Sequence, residues 1–422
     1  MSTWHAPSAT GPVNAEVRPP GSKSITNRAL VLAALSDEPS VITGGLDARD
    51  TSLAVAALRV LGCDISLERT GWRVTPGSVT PEAELFVDVG NSGTCLRFLP
   101  AVAALSRATV RFDGDPRVRE RPVGAMLGAL RSLGVDVSGD AAPFIVHGTG
   151  AVRGGSVVLD ASGSSQFVSG LLLSAARFDD GVEVRHEGPP VPSLPLIDMT
   201  MRMLTAAGVS VLSGASTWRV APGPLTLGTV HVEPDLMNTV PFLAAALVTG
   251  GSVTIAGWPA DSLQAASRIL AVLTSMGGSY SFGPHGLTFS GTGTITGLTA
   301  DLGDVSEMAP VLTAVAAVAS SPSSFTGLAH IRKHETDRIA ALAKELNALG
   351  GDVTELPDGW TIRPRPLAAG LFNTYDDHRM VMAAAVLGLV VPGLSVSNAE
   401  TVGKTFPGFM DDWTTMLSGA AH

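Results

Sequence analysis

Hydrophobic and polar positions along the chain fall into two alternating patterns. The first is an apolar helical stretch that runs into a strand. It occurs as "NRALVLAALSDEPSVITGG" (27–45), "LRFLPAVAALSRATVRFDG" (96–114) and "QFVSGLLLSAARFDDGVEVRHEG" (166–188). It returns as "NTVPFLAAALVTGGSVTIAGW" (238–258), "MAPVLTAVAAVASSPSSFTGL" (308–328) and "RMVMAAAVLGLVVPGLSVSN" (379–398). The second pattern is a helix that ends at a glycine and turns into alternating strand, as in "ALRVLGCDISLE" (57–68) or "ELNALGGDVTEL" (345–356). Its marker glycines are Gly62, Gly134, Gly208, Gly277 and Gly350, spaced by 72, 74, 69 and 73 residues. Each is a helix C-cap signal. The stretches that follow, such as "DISLERTGWRVTP" (64–76) and "DVTELPDGWTIRP" (352–364), predict β-hairpins. The unit is therefore strand, helix, strand, helix, hairpin, used six times with a period of roughly 70 residues. The sixth copy ends in "FPGFMDDWTTMLSG" (406–419), so its last strands must come from elsewhere, and the N-terminal residues are the expected donor.

Length and composition sharpen this picture. A chain of 422 residues is too long for one ordinary core, so two domains of roughly 200 residues, three repeats each, are expected. With 45% apolar and 16% charged residues it reads as a soluble α/β protein. No apolar run reaches the ~18 residues of a membrane span. The opening "MSTWHAPSATGPVNAEV" has neither a basic nor an apolar leader region, and a cytoplasmic location is expected. Cys63 and Cys95 form no disulfide framework and no zinc pattern. A net charge of −10 argues against general nucleic-acid or anionic-membrane binding. It leaves room for a small anionic substrate, because cations gather in "DPRVRERP" (Arg117, Arg119, Arg121) and "HIRKHETDR" (Arg332, Lys333, Arg338).

The candidate chemistry sits where the first helix of several repeats begins. "RPPGSKSITNRALVLAAL" (18–35) looks like a phosphate cradle, yet a Walker loop with Lys23 would need glycines at 17 and 22, where Val17 and Ser22 stand. Comparable edges are "GNSGTCLR" (90–97), "SGSSQF" (162–167), "DVSEMAP" (304–310) and "DDHRM" (376–380). Ser, Asn and Asp there are explained as N-caps. Lys23, Arg28, Arg97 and Arg379 are not, since their charge has the wrong sign for a first helical turn. An anion would justify them. If equivalent helices run the same way, their N-termini converge on a region suited to phosphates and carboxylates.

The set "PPGSKSITNRAL", "GNSGTCLRF", "DGDPRVRERP", "SGSSQFVSGLLL", "RKHETDRI", "YDDHRMVMA" and "GKTFPGF" resembles the 5-enolpyruvylshikimate-3-phosphate synthase family, in family order over nearly the whole chain. The resemblance implies an inside-out α/β barrel-like enolpyruvyl transferase fold of two similar domains, each three βαβαββ units. It assigns residues 21–233 to one domain and 1–20 plus 234–422 to the other, with the two chain crossings forming the hinge. It implies transfer of the carboxyvinyl group of phosphoenolpyruvate to the 5-hydroxyl of shikimate 3-phosphate, on the route to chorismate and the aromatic amino acids. No cofactor or metal and a monomeric state are expected. Carried over position by position, shikimate 3-phosphate would meet Lys23, Ser24, Arg28, Ser164, Ser165, Gln166, Ser193, Glu307 and His334. Phosphoenolpyruvate, and the herbicide glyphosate in its place, would meet Lys23, Gly93, Arg121, Gln166, Arg338, Arg379 and Lys404. Acid–base work would fall to Glu307 and Glu335 beside Lys23.

The chain departs from the family pattern at several positions. Glu307 stands where aspartate is usual, His334 where lysine is common and His330 where asparagine is common. Leu196 replaces a common tyrosine, and Phe98 a usual proline. A phosphate contact from His334 would weaken as the imidazole deprotonates. Three alternatives are weighed against this reading, one of them a non-catalytic repeat scaffold, which explains the period of about 70 residues but not the localised cations and carboxylates. The related UDP-N-acetylglucosamine enolpyruvyl transferases carry a reactive cysteine or aspartate in the loop matching "FDGDPRVRERP", where this chain has Asp113 and Asp115 but no cysteine. A metal site built on His330, His334 and Glu335 would be opposed by the cations Arg332, Lys333 and Arg338.

Overall fold

A computed structural model of the chain describes residues 3–69, 71–80 and 82–419. Residues 1–2 of the segment read for a leader, Thr70 of the first hairpin and residues 420–422 lie outside the described residues. The chain divides into two units, Gly21–Val232 and Met1–Pro20 together with Glu233–His422. The first holds the helices α1 (Lys23–Ala34), α2 (Arg49–Val60), α3 (Gly93–Ala104), α4 (Gly124–Ser132), α5 (Gln166–Ala175) and α6 (Pro195–Ala206). The second holds α7 (Leu236–Thr249), α8 (Ala266–Ser275), α9 (Ala309–Ala317), α10 (Arg338–Ala348), α11 (His378–Gly388) and α12 (Phe409–Ser418).

The two sequence patterns produce two kinds of helix. Those of the first pattern are apolar on nearly every face and pack together as an inner bundle: α1, α3 and α5 in one unit, α7, α9 and α11 in the other. A helix hydrophobic all round must be buried all round. Helices of the second pattern bury one stripe, as α8 does with Ile269, Leu270, Val272 and Leu273. All five marker glycines follow such helices in left-handed backbone, with φ of 99°, 92°, 86°, 111° and 96°. The chain can then reverse into the hairpin without a Cβ penalty.

Among the described residues, five of the six sheets consist of a parallel pair followed by an antiparallel hairpin. In the first unit one sheet runs Thr229–His231, Ser40–Thr43, Gly71–Thr75, Asp64–Glu68. In the second its counterpart runs Asn14–Val17, Ser252–Ala256, Gly286–Gly291, Gly278–Gly283. These two sheets have exchanged their leading strands. Asn14–Val17 precedes α1 in sequence but pairs with Ser252–Ala256, Asn14 opposite Ser252 and Val17 opposite Ile255. Thr229–His231 precedes α7 but pairs with Ser40–Thr43. Of the described N-terminal residues, Thr3–His5 joins the sixth repeat as a strand, pairing antiparallel with Ser395–Ser397 to make a three-stranded sheet. Among the described residues no helix is long and apolar enough to cross a membrane.

Candidate functional site

The inner helices of the first unit begin at the same end of their bundle. Asn27 Nδ2 on α1 donates to Thr94 Oγ1 on α3 at 3.1 Å, and Arg97 Nη1 on α3 donates to Gln166 Oε1 on α5 at 2.8 Å. Ser22 and Ser92 cap α1 and α3 by accepting from the amides of Ile25 and Cys95. This places Lys23, Gly93 and Gln166 each at the first position of its helix. Lys23 Nζ lies 3.7 Å from Asp50 Oδ2. Arg121 Nη1 donates to the Asn91 carbonyl at 2.8 Å. A Cβ built on Gly93 would lie 2.6 Å from Arg121 Nη2. The Ser164 hydroxyl accepts from the Gln166 amide, Ser165 is buried, and Ser193 adopts a left-handed φ of 52°.

Arg28 is fully buried and makes four hydrogen bonds, to Thr200 Oγ1 (2.7 Å), Ser24 O (3.0 Å), Ser169 Oγ (3.3 Å) and Leu196 O (3.0 Å). All four acceptors are neutral. Burial brings its pKa down to about 9, so it stays charged at neutral pH. Two of the departures from the family pattern are explained here. The guanidinium stands 5.2 Å over the Phe98 ring, a cation–π contact that offsets part of the lost hydration. Position 196 serves through its carbonyl, which leaves the side chain open to substitution.

The second unit assembles an ion-pair network. Arg338, at the start of α10, makes a two-pronged pair with Asp377, Nε to Oδ2 at 2.8 Å and Nη2 to Oδ1 at 3.1 Å. It also donates to Glu307 Oε2 and Glu335 Oε2, each at 3.2 Å. Arg379, at the start of α11, donates through Nε to Glu307 Oε2 at 3.1 Å and through Nη1 to Asn238 Oδ1 of α7 at 3.1 Å. Lys404 Nζ donates to Glu335 Oε1. Three carboxylates thus face three cations. Glu335 and Lys404 side chains are 7% and 8% exposed, whereas Glu307 is 30% exposed and can reach solvent. Burial works against the Arg338 charge, but Asp377, Glu307 and Glu335 outweigh it and push its pKa up.

Two histidines beside this network, His330 and His334, are neutral. Arg338 Nη1 lies 3.1 Å from His334 Nδ1 and is always a donor, so the imidazole carries its proton on Nε2. Burial, together with Arg338, holds His334 well below its ordinary pKa. Burial likewise brings His330 down to about 4, against the opposing pull of Glu307. In this arrangement His334 offers its Nε2 proton as a neutral donor, where the sequence suggested a phosphate contact that weakens as the imidazole deprotonates.

Some contributors were not singled out from sequence. Asp377 reads as a helix cap, and it does accept from the Arg379 amide at 2.9 Å, but the same carboxylate orients Arg338. Asp50, Asn91 and Asn238 carried no signal beyond their polarity. The alternatives fare poorly. Asp113 is engaged by Arg119 at 3.0 Å and Asp115 by Arg49 at 2.8 Å. The His330 and His334 rings meet edge to face, centroids 5.6 Å apart. Among the described residues no group of three His, Cys, Asp or Glu could hold a metal ion. Burial pushes the Cys95 thiol up to about 12 and the Cys63 thiol up as well, so neither is a ready nucleophile.

The fold is similar to solved structures of EPSP synthase from Acinetobacter baumannii. One superposes with a TM-score of 0.81 at 23% identity, covering 99% of this chain and 98% of that one. A second gives 0.79 at 22% identity, covering 97% of each. At that identity the likeness establishes the architecture. The family model described as EPSP synthase (3-phosphoshikimate 1-carboxyvinyltransferase) matches residues 7–413, which spans both units and every residue of the two clusters above. The chain belongs to the EPSP synthase family.

Proposed function

We propose that the two clusters divide the family's reaction between them. The enzyme transfers the enolpyruvyl group of phosphoenolpyruvate to shikimate 3-phosphate. In our reading the acceptor is bound by Lys23, Ser24, Arg28, Ser164, Ser165, Gln166, Ser193, Glu307 and His334. The donor is bound by Lys23, Gly93, Arg121, Gln166, Arg338, Arg379 and Lys404. Addition takes the proton from the 5-hydroxyl as its oxygen bonds to the central carbon of the donor, whose methylene carbon gains a proton. Elimination returns that carbon proton and expels phosphate. Glu307 acts at the hydroxyl, and Glu335, with Lys23, at the carbon.

The observation that carries this reading is the pairing of Glu307 and Glu335 with Arg338, Arg379 and Lys404. A phosphate and a carboxylate arriving together compete for those cations. As they succeed, the two glutamates lose the charges that favour their ionised form and become better proton acceptors. The cations then stabilise the departing phosphate. Since no electrons are transferred, acid–base and electrostatic groups suffice without a redox cofactor. The unpaired Cys63 and Cys95 and the acidic net charge support a cytoplasmic enzyme that does not bind nucleic acid or anionic membranes. A monomer is supported by the way each unit closes its core with its own sheets.

Phosphate release from phosphoenolpyruvate plus shikimate 3-phosphate, with UDP-N-acetylglucosamine as control acceptor, tests the assignment. Lys23→Ala and Glu335→Ala should each lower turnover by about two orders of magnitude or more, at ~1.4 kcal/mol per factor of ten, with the fold intact. Near-unchanged turnover in either variant would remove that residue from the mechanism.

A further inference from the structure

Among the described residues, five other than glycine adopt left-handed backbone: Glu82, Ser193, Tyr375, Asp376 and Asn398. Three of these belong to one cluster in the second unit. Tyr375 (φ 53°) and Asp376 (φ 56°) immediately precede Asp377, two residues ahead of Arg379, and Asn398 (φ 47°) immediately precedes the turn Ala399–Lys404. Such conformations persist only where the surroundings over-determine them. Here the surroundings converge on one side chain. Glu345 lies two helical turns beyond Arg338 on α10 and is 2% exposed. Its Oε2 accepts from the Asn373 amide at 2.9 Å and from Asn373 Nδ2 at 3.1 Å, and its Oε1 accepts from the Tyr375 hydroxyl.

These donors are neutral, so this buried carboxylate is spent on shaping a turn and not on pairing with a cation. Burial and the Glu345 carboxylate push the Tyr375 phenol upward, so it remains a donor at any working pH. Asn398 Nδ2 donates to Asp376 Oδ1, and Thr374 Oγ1 donates to the Ser397 carbonyl at 2.8 Å. α10 therefore holds one segment at two points, Arg338 on Asp377 and Glu345 on residues 373 and 375. The segment in turn is tied to the turn that ends at Lys404.

We propose that Glu345 is a positioning residue for the donor-binding cations. Through Asn373 and Tyr375 it fixes the left-handed turn that aims Asp377 and Arg379, and through Asp376 and Asn398 it sets the approach of Lys404. The role rests on the donor-site assignment above. It touches neither substrate, and its effect falls on phosphoenolpyruvate while sparing the acceptor contacts of the first unit.

Glu345→Gln keeps the shape but turns one accepting oxygen into an amide that opposes its donors, and Tyr375→Phe removes only the hydroxyl. Leu346→Ala, at the next and fully buried position of α10, provides a destabilised variant without a link to the turn. Phosphate release with each substrate varied, calorimetric titration with shikimate 3-phosphate and thermal midpoints are measured for all three. The expected result is a KM for phosphoenolpyruvate raised ~10-fold in the Glu345 and Tyr375 variants, with acceptor affinity within about twofold of the parent. Leu346→Ala should lower the midpoint and leave that KM in place. Equal rises in all three variants, or no rise in the Glu345 and Tyr375 variants, overturn the proposal. Arg379→Lys separates the two levels of the argument. If it raises the KM while Glu345→Gln does not, only the positioning role fails; if it too has no effect, the donor-site assignment fails and the proposal with it.

Discussion

At Gly93 the missing side chain is occupied by its neighbours. A methyl group there would meet Arg121 Nη2 at 2.6 Å, Arg121 Cζ at 3.1 Å and Arg97 Nη1 at 3.2 Å. Because the resemblance places Gly93 against the donor, alanine would intrude on it directly. The geometry adds a second route, displacement of the Arg121 guanidinium that is proposed to hold it. Because the obstructing atoms end flexible side chains, Gly93→Ala should fold normally. We expect its KM for phosphoenolpyruvate to rise and the inhibition constant for glyphosate, a longer anion, to rise by a larger factor. Inhibition kinetics with phosphoenolpyruvate as the varied substrate measures both. Equal factors would mean that Arg121 displacement alone accounts for the change. Lys23 and Arg379 were legible in the sequence because a cation in a first helical turn contradicts the helix dipole, whereas Arg28 and Arg97, read the same way, stand one turn further into α1 and α3. The partners of Glu307 and Glu335 were not. Their ion pairs join the start of α10, the start of α11 and the turn ending at Lys404, segments whose proximity no local pattern encodes.

At the level of elements, the repeat was legible because its punctuation is chemical: a glycine at each left-handed helix end, an apolar run at each inner helix. Strand partners were less so, since two short strands with similar burial carry little to name the sheet they enter. Asn14–Val17 and Thr229–His231 are such strands, and hence the exchange appears only in three dimensions. Helix contacts give a sharper test. A Cβ on Gly170 of α5 would lie 2.2 Å from the Arg97 carbonyl oxygen of α3, a backbone atom that cannot yield without parting the two inner helices. Gly128 of α4 has no atom within 4 Å of the same construction. Gly170→Ala should therefore cost about 3 kcal/mol or more, as overpacking does. Gly128→Ala should be neutral or stabilise by about 0.5–1 kcal/mol through helix propensity. Thermal unfolding distinguishes them, at about 2–4 °C per kcal/mol for a unit of this size.

For the whole molecule, the exchanged strands set a timetable for biosynthesis. The ribosome delivers residues 3–17 first, yet their partners come only past the middle of the chain, at Ser252–Ala256, and near its end, at Ser395–Ser397. The Gly21–Val232 unit has every strand of its sheets once Thr229–His231 emerges, so it can finish folding while the leading segment is still unpartnered. With about 230 residues to be added at ~5–20 per second, Asn14–Val17 waits on the order of ten seconds or more for its neighbour. A waiting strand offers unpaired backbone donors and acceptors to any other nascent chain. A circular permutant that starts at Gly21 and joins His422 to Met1 through a linker passes the wait from the unpartnered Asn14–Val17 to Ser252–Ala256, which is already paired on its other side with Gly286–Gly291, and it keeps every strand pair. It should give a higher soluble yield than the natural order when synthesised without chaperones. An equal yield would show that the early strands are safe while they wait.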